Sequence, residues 1–169
     1  PSEVDGDLDE FPLRLEEMSP AQLRRAREKG LPCLLATGVL ENHGNHNPIG
    51  CDAIEAAEPI LRAAAEEPAV VAPTIYYGPT GYAVTGPRGA TANVDARVYQ
   101  NYVEGVIRGL AALGLAHIHV LQVHQGPEGP QGAALTMAIA QYRSHLHTRY
   151  GTGWGRGDDG ERDHPHVEL

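Results

Sequence analysis

The sequence predicts an α/β fold of three layers, in which a mainly parallel sheet lies between helices. Short apolar runs alternate with longer segments of helical periodicity, and loops rich in glycine and proline separate them. A strand, a loop and a helix repeated three times favour right-handed crossovers and parallel strands. With 169 residues, the chain can bury one hydrophobic core without disulfide or metal support.

An acidic, irregular arm is predicted over residues 1–18, and one α/β domain over residues 19–169. The domain begins with a helix, because Ser19 is a favourable N-cap and the proline after it fits the first turn. Gly30 is expected to end this helix. The first strand is the run 32–40, which is apolar almost throughout, as a parallel strand buried on both faces should be.

Two more strands and three more helices follow by the same criteria. The segments 69–76 and 116–123 are short, apolar and bounded by loops, so they are predicted strands. Apolar residues recur at helical spacing in the long segments between them, and the predicted helices cover residues 52–67, 95–113 and 133–150. The loops after the three strands should therefore open on one edge of the sheet.

The composition excludes two classes of partner. There are 13 basic and 22 acidic residues, giving a formal charge of −9, whereas nucleic acids and anionic membranes require a basic surface. We therefore expect neither a nucleic-acid nor a membrane partner. The two cysteines do not suggest a disulfide framework, and no segment resembles a membrane span or a signal peptide. A cytoplasmic location is the prediction.

The segment 41–52, directly after the first strand, is the most informative one for function. It contains Glu41, His43, His46 and Asp52. Glu41 and His43 are two residues apart, so in extended backbone their side chains point to the same side. Oxygen and nitrogen ligands together suit zinc, manganese or iron, the ions that activate water. The segment predicts a metal-dependent hydrolase.

Each of these residues also has a purely structural interpretation. Asp52 suits the N-cap of the next helix, while Glu41 and His43 suit a solvated loop. All three together, beside a further imidazole, favour metal binding. Cys51 is interpreted as a small buried thiol rather than a zinc ligand, because no second cysteine has the spacing of a thiolate site.

His124 is predicted to join this set from a distant part of the chain. It stands where the third strand ends, and the carboxyl ends of parallel strands meet at one edge of the sheet. By contrast, His117 and His119 stand near the opposite end of that strand and are interpreted as structural. His166 is interpreted as a residue of the C-terminal tail.

The segment 41–52 resembles the signature of the creatininase (creatinine amidohydrolase) family, Glu-x-His-Gly-x-His-Leu-Pro followed by an aspartate. Residues 86–91 resemble the Pro-Gly-Thr segment of that family, and residues 114–126 resemble its last strand and loop. The likeness spans about residues 31–140 and keeps the order of the motifs. The chain is shorter than members of that family.

The resemblance implies two divalent ions per chain, zinc, manganese or iron, at the edge of the sheet. It implies that Glu41, Asp52 and His124 hold one ion. The other ion is then held by His43, with Asp52 bridging the two. Metal-activated water would hydrolyse a small amide, cyclic or linear, and relatives suggest a homo-oligomer, specifically a hexamer.

The resemblance leaves the last metal ligand open. Some relatives supply a glutamate two residues after the last histidine, where this chain has Gly126. Others use a later acidic segment, which residues 158–163 weakly resemble. Glu161 is therefore the predicted ligand, and Glu128 is the alternative.

Further residues are assigned by the same hypothesis. Glu161 or His46 is predicted to carry the proton to the leaving nitrogen. The predicted substrate-binding residues are Tyr77, Tyr82, Arg88 and Gln125. Two other functions remain open: a single-metal lyase or isomerase acting on a hydroxylated small molecule, and a non-catalytic binding protein with a degenerate metal site.

Overall fold

The computed structural model describes residues 13–81, 90–150 and 166–168. The strands are β1 (Leu13–Arg14), β2 (Cys33–Thr37), β3 (Val70–Ile75), β4 (His117–Gln122) and β5 (His166–Glu168). The helices are α1 (Pro20–Glu28), α2 (Cys51–Glu66), α3 (Ala96–Ala112) and α4 (Pro130–Tyr150), with a short 3-10 helix at Leu15–Glu17. Among these residues, no helix combines the length and the apolar character needed to cross a membrane.

The strands form one sheet in the order β1-β3-β2-β4-β5, and every neighbouring pair is parallel. Alternate residues of β2 divide between two apolar clusters, as the period of a strand requires. Leu35 packs in the cluster that contains buried residues of α1, α3 and α4. Ala36 packs in the cluster that contains buried residues of α2. The predicted three-layer α/β architecture with a parallel sheet is confirmed.

The first helix begins and ends as the sequence predicts. Ser19 Oγ accepts a hydrogen bond from the Gln22 backbone N–H at 3.2 Å, and Gln22 Oε1 accepts one from the Ser19 N–H at 2.8 Å. This reciprocal pair satisfies two backbone donors that the first turn of a helix leaves free. Gly30 follows the helix with a φ of +64°, which a residue without Cβ adopts easily.

The prediction of irregular structure over residues 1–18 is wrong for residues 13–17. Leu13 pairs with Val70 and Arg14 with Val71, so β1 is an edge strand of the sheet. Leu13 is only 4% exposed. A two-residue strand is too short to show a period in the sequence, and it is specified by the free edge of β3. Residues 1–12 lie outside the described residues.

Candidate metal centre

Two adjacent strands deliver polar side chains to the same edge of the sheet. β2 and β4 are neighbours, with Thr37 in register with Gln122 at their carboxyl ends. The chain after β2 leads within four residues to Glu41, and the chain after β4 leads to His124. The topology therefore brings these two side chains together across more than eighty residues of sequence, as expected for this architecture.

Asp52 joins them from the first turn of α2. The helix starts at Cys51, and Gly38 lies so close to it that a Cβ at Gly38 would stand 2.6 Å from the backbone carbonyl carbon of Asp52. Only glycine permits this approach of β2 to the start of the helix. The contact fixes the position of Asp52 beside the strand end.

Each of the two imidazoles lies within 4.0 Å of both carboxylates. His124 Nδ1 is 2.8 Å from Asp52 Oδ2 and 3.5 Å from Glu41 Oε2. His43 Nε2 is 3.3 Å from Asp52 Oδ1 and 4.0 Å from Glu41 Oε2. The two oxygens of Asp52 thus face two different imidazoles. Glu41, His43 and Asp52 also form a group whose possible ligand atoms all lie within 4.8 Å of one another.

Burial makes this arrangement costly without a cation. Glu41, Asp52 and His124 are 4%, 7% and 8% exposed. Glu41 Oε1 and His124 Nε2 are buried without a hydrogen-bond partner, and Asp52 Oδ2 has only the His124 imidazole, at 2.8 Å. Such unsatisfied groups are rare because each costs desolvation energy. Two carboxylates and two imidazoles in such close contact have the donor types that a divalent metal ion takes, and Glu41, His43 and Asp52 have ligand atoms within 4.8 Å of one another.

The carboxyl group of Glu41 reflects the same environment. Burial raises its pKa above the ordinary value, and the nearby Asp52 carboxylate raises it further. The imidazoles of His124 and His43 act in the opposite direction and lower this pKa. Burial is the largest of these effects, so the ionised form of Glu41 is disfavoured unless positive charge is added.

The ring of His43 is oriented by the backbone. Its Nδ1 lies 3.1 Å from the carbonyl oxygen of Glu41. With the ring proton on Nδ1, this contact is a hydrogen bond from His43, and the lone pair of Nε2 then faces Asp52. Metal-binding histidines commonly have a second-nitrogen partner of this kind.

Three buried polar residues, Thr37, Tyr99 and Gln131, hold the end of β2 in place. Thr37 Oγ1 lies 2.7 Å from Tyr99 OH, and Gln131 Nε2 donates to the carbonyl oxygen of Gly38 at 3.1 Å. Thr37, Tyr99 and Gln131 are each 0% exposed. They connect the end of β2 to α3 and α4, and so fix the strand end from which Glu41 follows. The sequence contains no pattern that marks them as a group.

The sequence model of the creatininase family, described as creatinine amidohydrolase, matches residues 16–166. The chain belongs to the creatininase family. Similar solved structures include a mutant creatininase complexed with creatine, at 20% identity and a TM-score of 0.74. That similarity covers 92% of this chain and 56% of the other. The manganese form "Creatininase Mn" gives the same four values.

A mutant creatininase of Zn-Zn type is also similar, with 20% identity, a TM-score of 0.68, and coverage of 91% of this chain and 55% of the other. The chain therefore spans little more than half the length of these creatininases. At this identity the structural likeness establishes the fold alone. A comparison with curated proteins finds no match.

This creatininase-family structure places the other predicted site residues in several environments. His46 lies in an exposed turn of the loop that contains His43. Tyr77, which follows β3, is 58% exposed. Gln125 is engaged within the protein, since its Nε2 donates to the Thr80 carbonyl oxygen at 2.9 Å. Its role in substrate binding stays a prediction.

Three predicted site residues, Glu161, Tyr82 and Arg88, lie outside the described residues. Glu128 is exposed in the loop after β4. A Cβ placed on Gly126 would stand 3.1 Å from Glu128 Oε2. Cys51 is turned toward its own helix, where its Sγ donates to Glu55 Oε1 at 3.3 Å. The expectation of a buried thiol at Cys51 is wrong, because this residue is partly exposed at the start of α2.

Proposed function

We propose that this chain is a metal-dependent amidohydrolase that hydrolyses a small amide, with cyclic amides as the first substrate class to test. The observation that carries the proposal is the disposition of Asp52, whose two oxygens face two different imidazoles inside a buried cluster. Family membership supports it, as do the manganese, Zn-Zn and creatine-bound forms of structurally similar creatininases.

The ligands divide naturally between two positions. Glu41, Asp52 and His124 would hold one divalent ion, and His43 would hold a second one that shares Asp52. When bound, such ions make water acidic enough to attack at neutral pH and polarise the substrate carbonyl. The protein contributes fixed geometry: Glu41 and Asp52 balance the positive charge, and the backbone contact of His43 holds its ring.

For the last ligand, Glu161 is the residue predicted from the sequence and Glu128 is the alternative, and of these two only Glu128 lies among the described residues. Relatives that place a glutamate two residues after the last histidine have it where this chain has Gly126. The Glu128 carboxylate lies 3.1 Å from the space where a side chain at Gly126 would begin. Glu128 is therefore the residue to test beside Glu161 as the last ligand. Glu161 stays the ligand predicted from the sequence.

The exposed residues His46 and Tyr77 are assigned to substrate handling. His46, in the exposed turn beside His43, is the proposed carrier of the proton to the leaving nitrogen, a role for which imidazole is well suited. Tyr77 lies in a groove of about 440 Å³ that is also lined by Tyr76 and Tyr102. Its aromatic rings suit a small planar molecule, although Glu41, His43, Asp52 and His124 do not line this groove.

The test removes the bridging carboxylate. Asp52→Asn is expected to weaken binding of manganese and zinc by at least about 100-fold and to abolish hydrolysis of any active substrate. Metal equivalents are measured by mass spectrometry of dialysed protein, and kcat/KM on a panel of lactams, creatinine and linear amides. The control is His145→Gln, at an exposed position on α4, which should change neither the metal content nor kcat/KM.

The outcomes separate the possible functions. Full metal content in Asp52→Asn contradicts the proposed site. Loss of two equivalents with loss of amide hydrolysis supports the two-ion hydrolase. Loss of one equivalent, in a protein inactive on the whole panel, contradicts the hydrolase and favours the single-metal lyase or isomerase. The homo-oligomer, a hexamer by resemblance, and the cytoplasmic location stay predictions.

A further inference from the structure

The residue after His124 has an unusual backbone conformation. Gln125 has a φ of +60°, and among the described residues it is the only one other than glycine with a positive φ. Residues with a Cβ rarely adopt this left-handed conformation, and such strain persists only where the surrounding structure holds it. Because His124 is a proposed metal ligand, the strained residue lies directly beside the metal centre.

The side chain of Gln125 connects two segments of the chain. Its Nε2 donates a hydrogen bond to the Thr80 carbonyl oxygen at 2.9 Å, and its Oε1 accepts one from the Gln131 backbone N–H at 3.3 Å. Thr80 is itself fixed, because its N–H and its Oγ1 both donate to Asn93 Oδ1, at 3.0 and 3.1 Å. Gln125 thus ties the chain after β4 to the loop after β3 and to α4.

The contact with Gln131 caps α4. The helix begins at Pro130, and the residue before it, Gly129, has no side chain that could accept a hydrogen bond from the first turn. A helix leaves the backbone N–H groups of its first turn without partners inside the helix, and a side-chain oxygen commonly satisfies one of them. A Cβ on Gly129 would stand 2.5 Å from Gln125 Oε1. The glycine therefore leaves room for the glutamine to act as the cap.

We propose that Gln125 is a positioning residue for His124 and holds its imidazole in place for metal binding. The backbone carbonyl oxygen of His124 accepts a hydrogen bond from Gln122 Nε2, so the peptide group between His124 and Gln125 is held from both sides. This fixes the imidazole where its Nδ1 lies 2.8 Å from Asp52 Oδ2. The proposal rests on the metal centre of the proposed function, and it does not depend on which substrate is hydrolysed.

The experiment compares two substitutions of Gln125 in full-length protein. Gln125→Leu removes both hydrogen bonds and keeps the strain, whereas Gln125→Gly removes the hydrogen bonds together with the strain. Both should weaken zinc binding by at least about 10-fold, measured by titration against a competing chelator. In metal-free form, Gln125→Gly should melt at the higher temperature of the two. Zinc affinity that falls in both variants, although their stabilities differ, separates positioning from a purely structural role.

Gln141→Leu is the matched control. Gln141 Oε1 accepts a hydrogen bond from Gln100 Nε2 at 3.0 Å, so this substitution also removes a hydrogen bond made by a glutamine. The position lies eleven residues after the start of α4, about 16 Å along the helix. Zinc affinity in this variant should equal that of the parent protein.

A second measurement needs no metal. The ring signals of His124 in NMR spectra of metal-free protein, assigned by their absence from His124→Gln, should shift in Gln125→Leu and stay in place in Gln141→Leu. Parent zinc affinity in Gln125→Leu, or ring signals of His124 identical to those of the parent, overturns the proposal. Weaker substrate binding at parent zinc affinity also overturns it and supports the predicted contact of Gln125 with substrate. If the parent binds no zinc, the proposed function fails, while the ring signals still decide whether Gln125 holds His124.

Discussion

The two ends of β4 use the same amino acid in opposite ways. At the carboxyl end, His124 is 8% exposed and faces two carboxylates that are themselves buried. At the amino end, His117 and His119 are exposed on the surface of the sheet. Residue type alone thus does not define a site. At the carboxyl end the histidine is buried beside carboxylates that lack enough polar partners, and this arrangement is unfavourable without a metal ion.

The carboxyl ends and the amino ends of the strands also differ in how tightly the neighbouring segments pack. The first is called the carboxyl edge of the sheet and the second the amino edge. At the carboxyl edge, a Cβ on Gly38 would stand 2.6 Å from the backbone of Asp52. At the amino edge, a Cβ on Gly114 would stand 2.7 Å from the guanidinium carbon of Arg27. The first obstacle is backbone of a helix start and cannot move away, whereas the second is the end of a flexible side chain. The carboxyl edge is therefore the less tolerant of the two.

The largest expected effect comes from breaking that close approach. Gly38→Ala should destabilise the protein by about 3 kcal/mol because the added methyl group displaces α2. At about 2–4 °C per kcal/mol for a chain of this size, the melting temperature should fall by about 6–12 °C. Metal content should fall with it, since Asp52 moves with the helix.

Two matched glycine variants sharpen this result. In Gly114→Ala the Arg27 side chain can swing aside, leaving a cost of about 1 kcal/mol for a φ of +83°. Gly109→Ala, where nothing lies within 4 Å, should stabilise α3 by about 0.5–1 kcal/mol. Thermal melts of the three variants should keep this order. Equal losses at Gly38 and Gly114 would contradict the difference between the edges.

A smaller effect follows from the charge of Glu41. A carboxyl group whose pKa is higher in the folded protein than in the unfolded chain stabilises the fold when protonated, and this contribution is lost as the pH rises through the folded pKa. Because burial and Asp52 raise the pKa of Glu41, the ionised group destabilises metal-free protein at neutral pH. Glu41→Gln should therefore stabilise metal-free protein at pH 7.5 by about 1 kcal/mol while weakening metal binding.

The gain in Glu41→Gln should shrink as the pH is lowered toward the range in which glutamate is protonated in the unfolded chain. Urea melts of metal-free protein at several pH values test this sign. His119→Gln, at the exposed end of β4, provides the comparison and should show no such gain at pH 7.5. If metal-free Glu41→Gln protein is less stable than the parent at pH 7.5, then the buried charge of Glu41 does not destabilise the fold.

The smallest effect concerns the two cysteines, one at each edge. Cys33 begins β2, is 0% exposed, and burial raises its pKa to about 12. Cys51 is partly exposed, and its hydrogen bond to Glu55 is the main cause of its raised pKa. At pH 8 a disulfide reagent should label Cys51 slowly and Cys33 only after unfolding, because the thiolate is the reactive form. Glu55→Gln should speed the labelling of Cys51, and rapid labelling of Cys33 in folded protein would contradict its burial.

Much of the candidate site was predictable because its parts are local patterns at the ends of regular elements. Glu41 and His43 follow an apolar strand at a spacing of two, and the structure places both beside Asp52. His124 could be added because parallel strands end at one edge. The parts that escaped prediction are those without a local pattern: β1 depends on the free edge of β3, and Gln131 lies ninety-four residues from Thr37.

The sequence by itself determined the strand–helix alternation, the parallel sheet and the residues gathered at its carboxyl edge, because periodicity and chain order carry that information. Only the tertiary structure decided which atoms of Asp52 face which imidazole, which polar atoms are buried without partners, and that His117 and His119 lie in register with β5. These properties depend on distances between segments far apart in the chain. Burial and contact are set by how packed elements approach one another, and no stretch of sequence records that on its own.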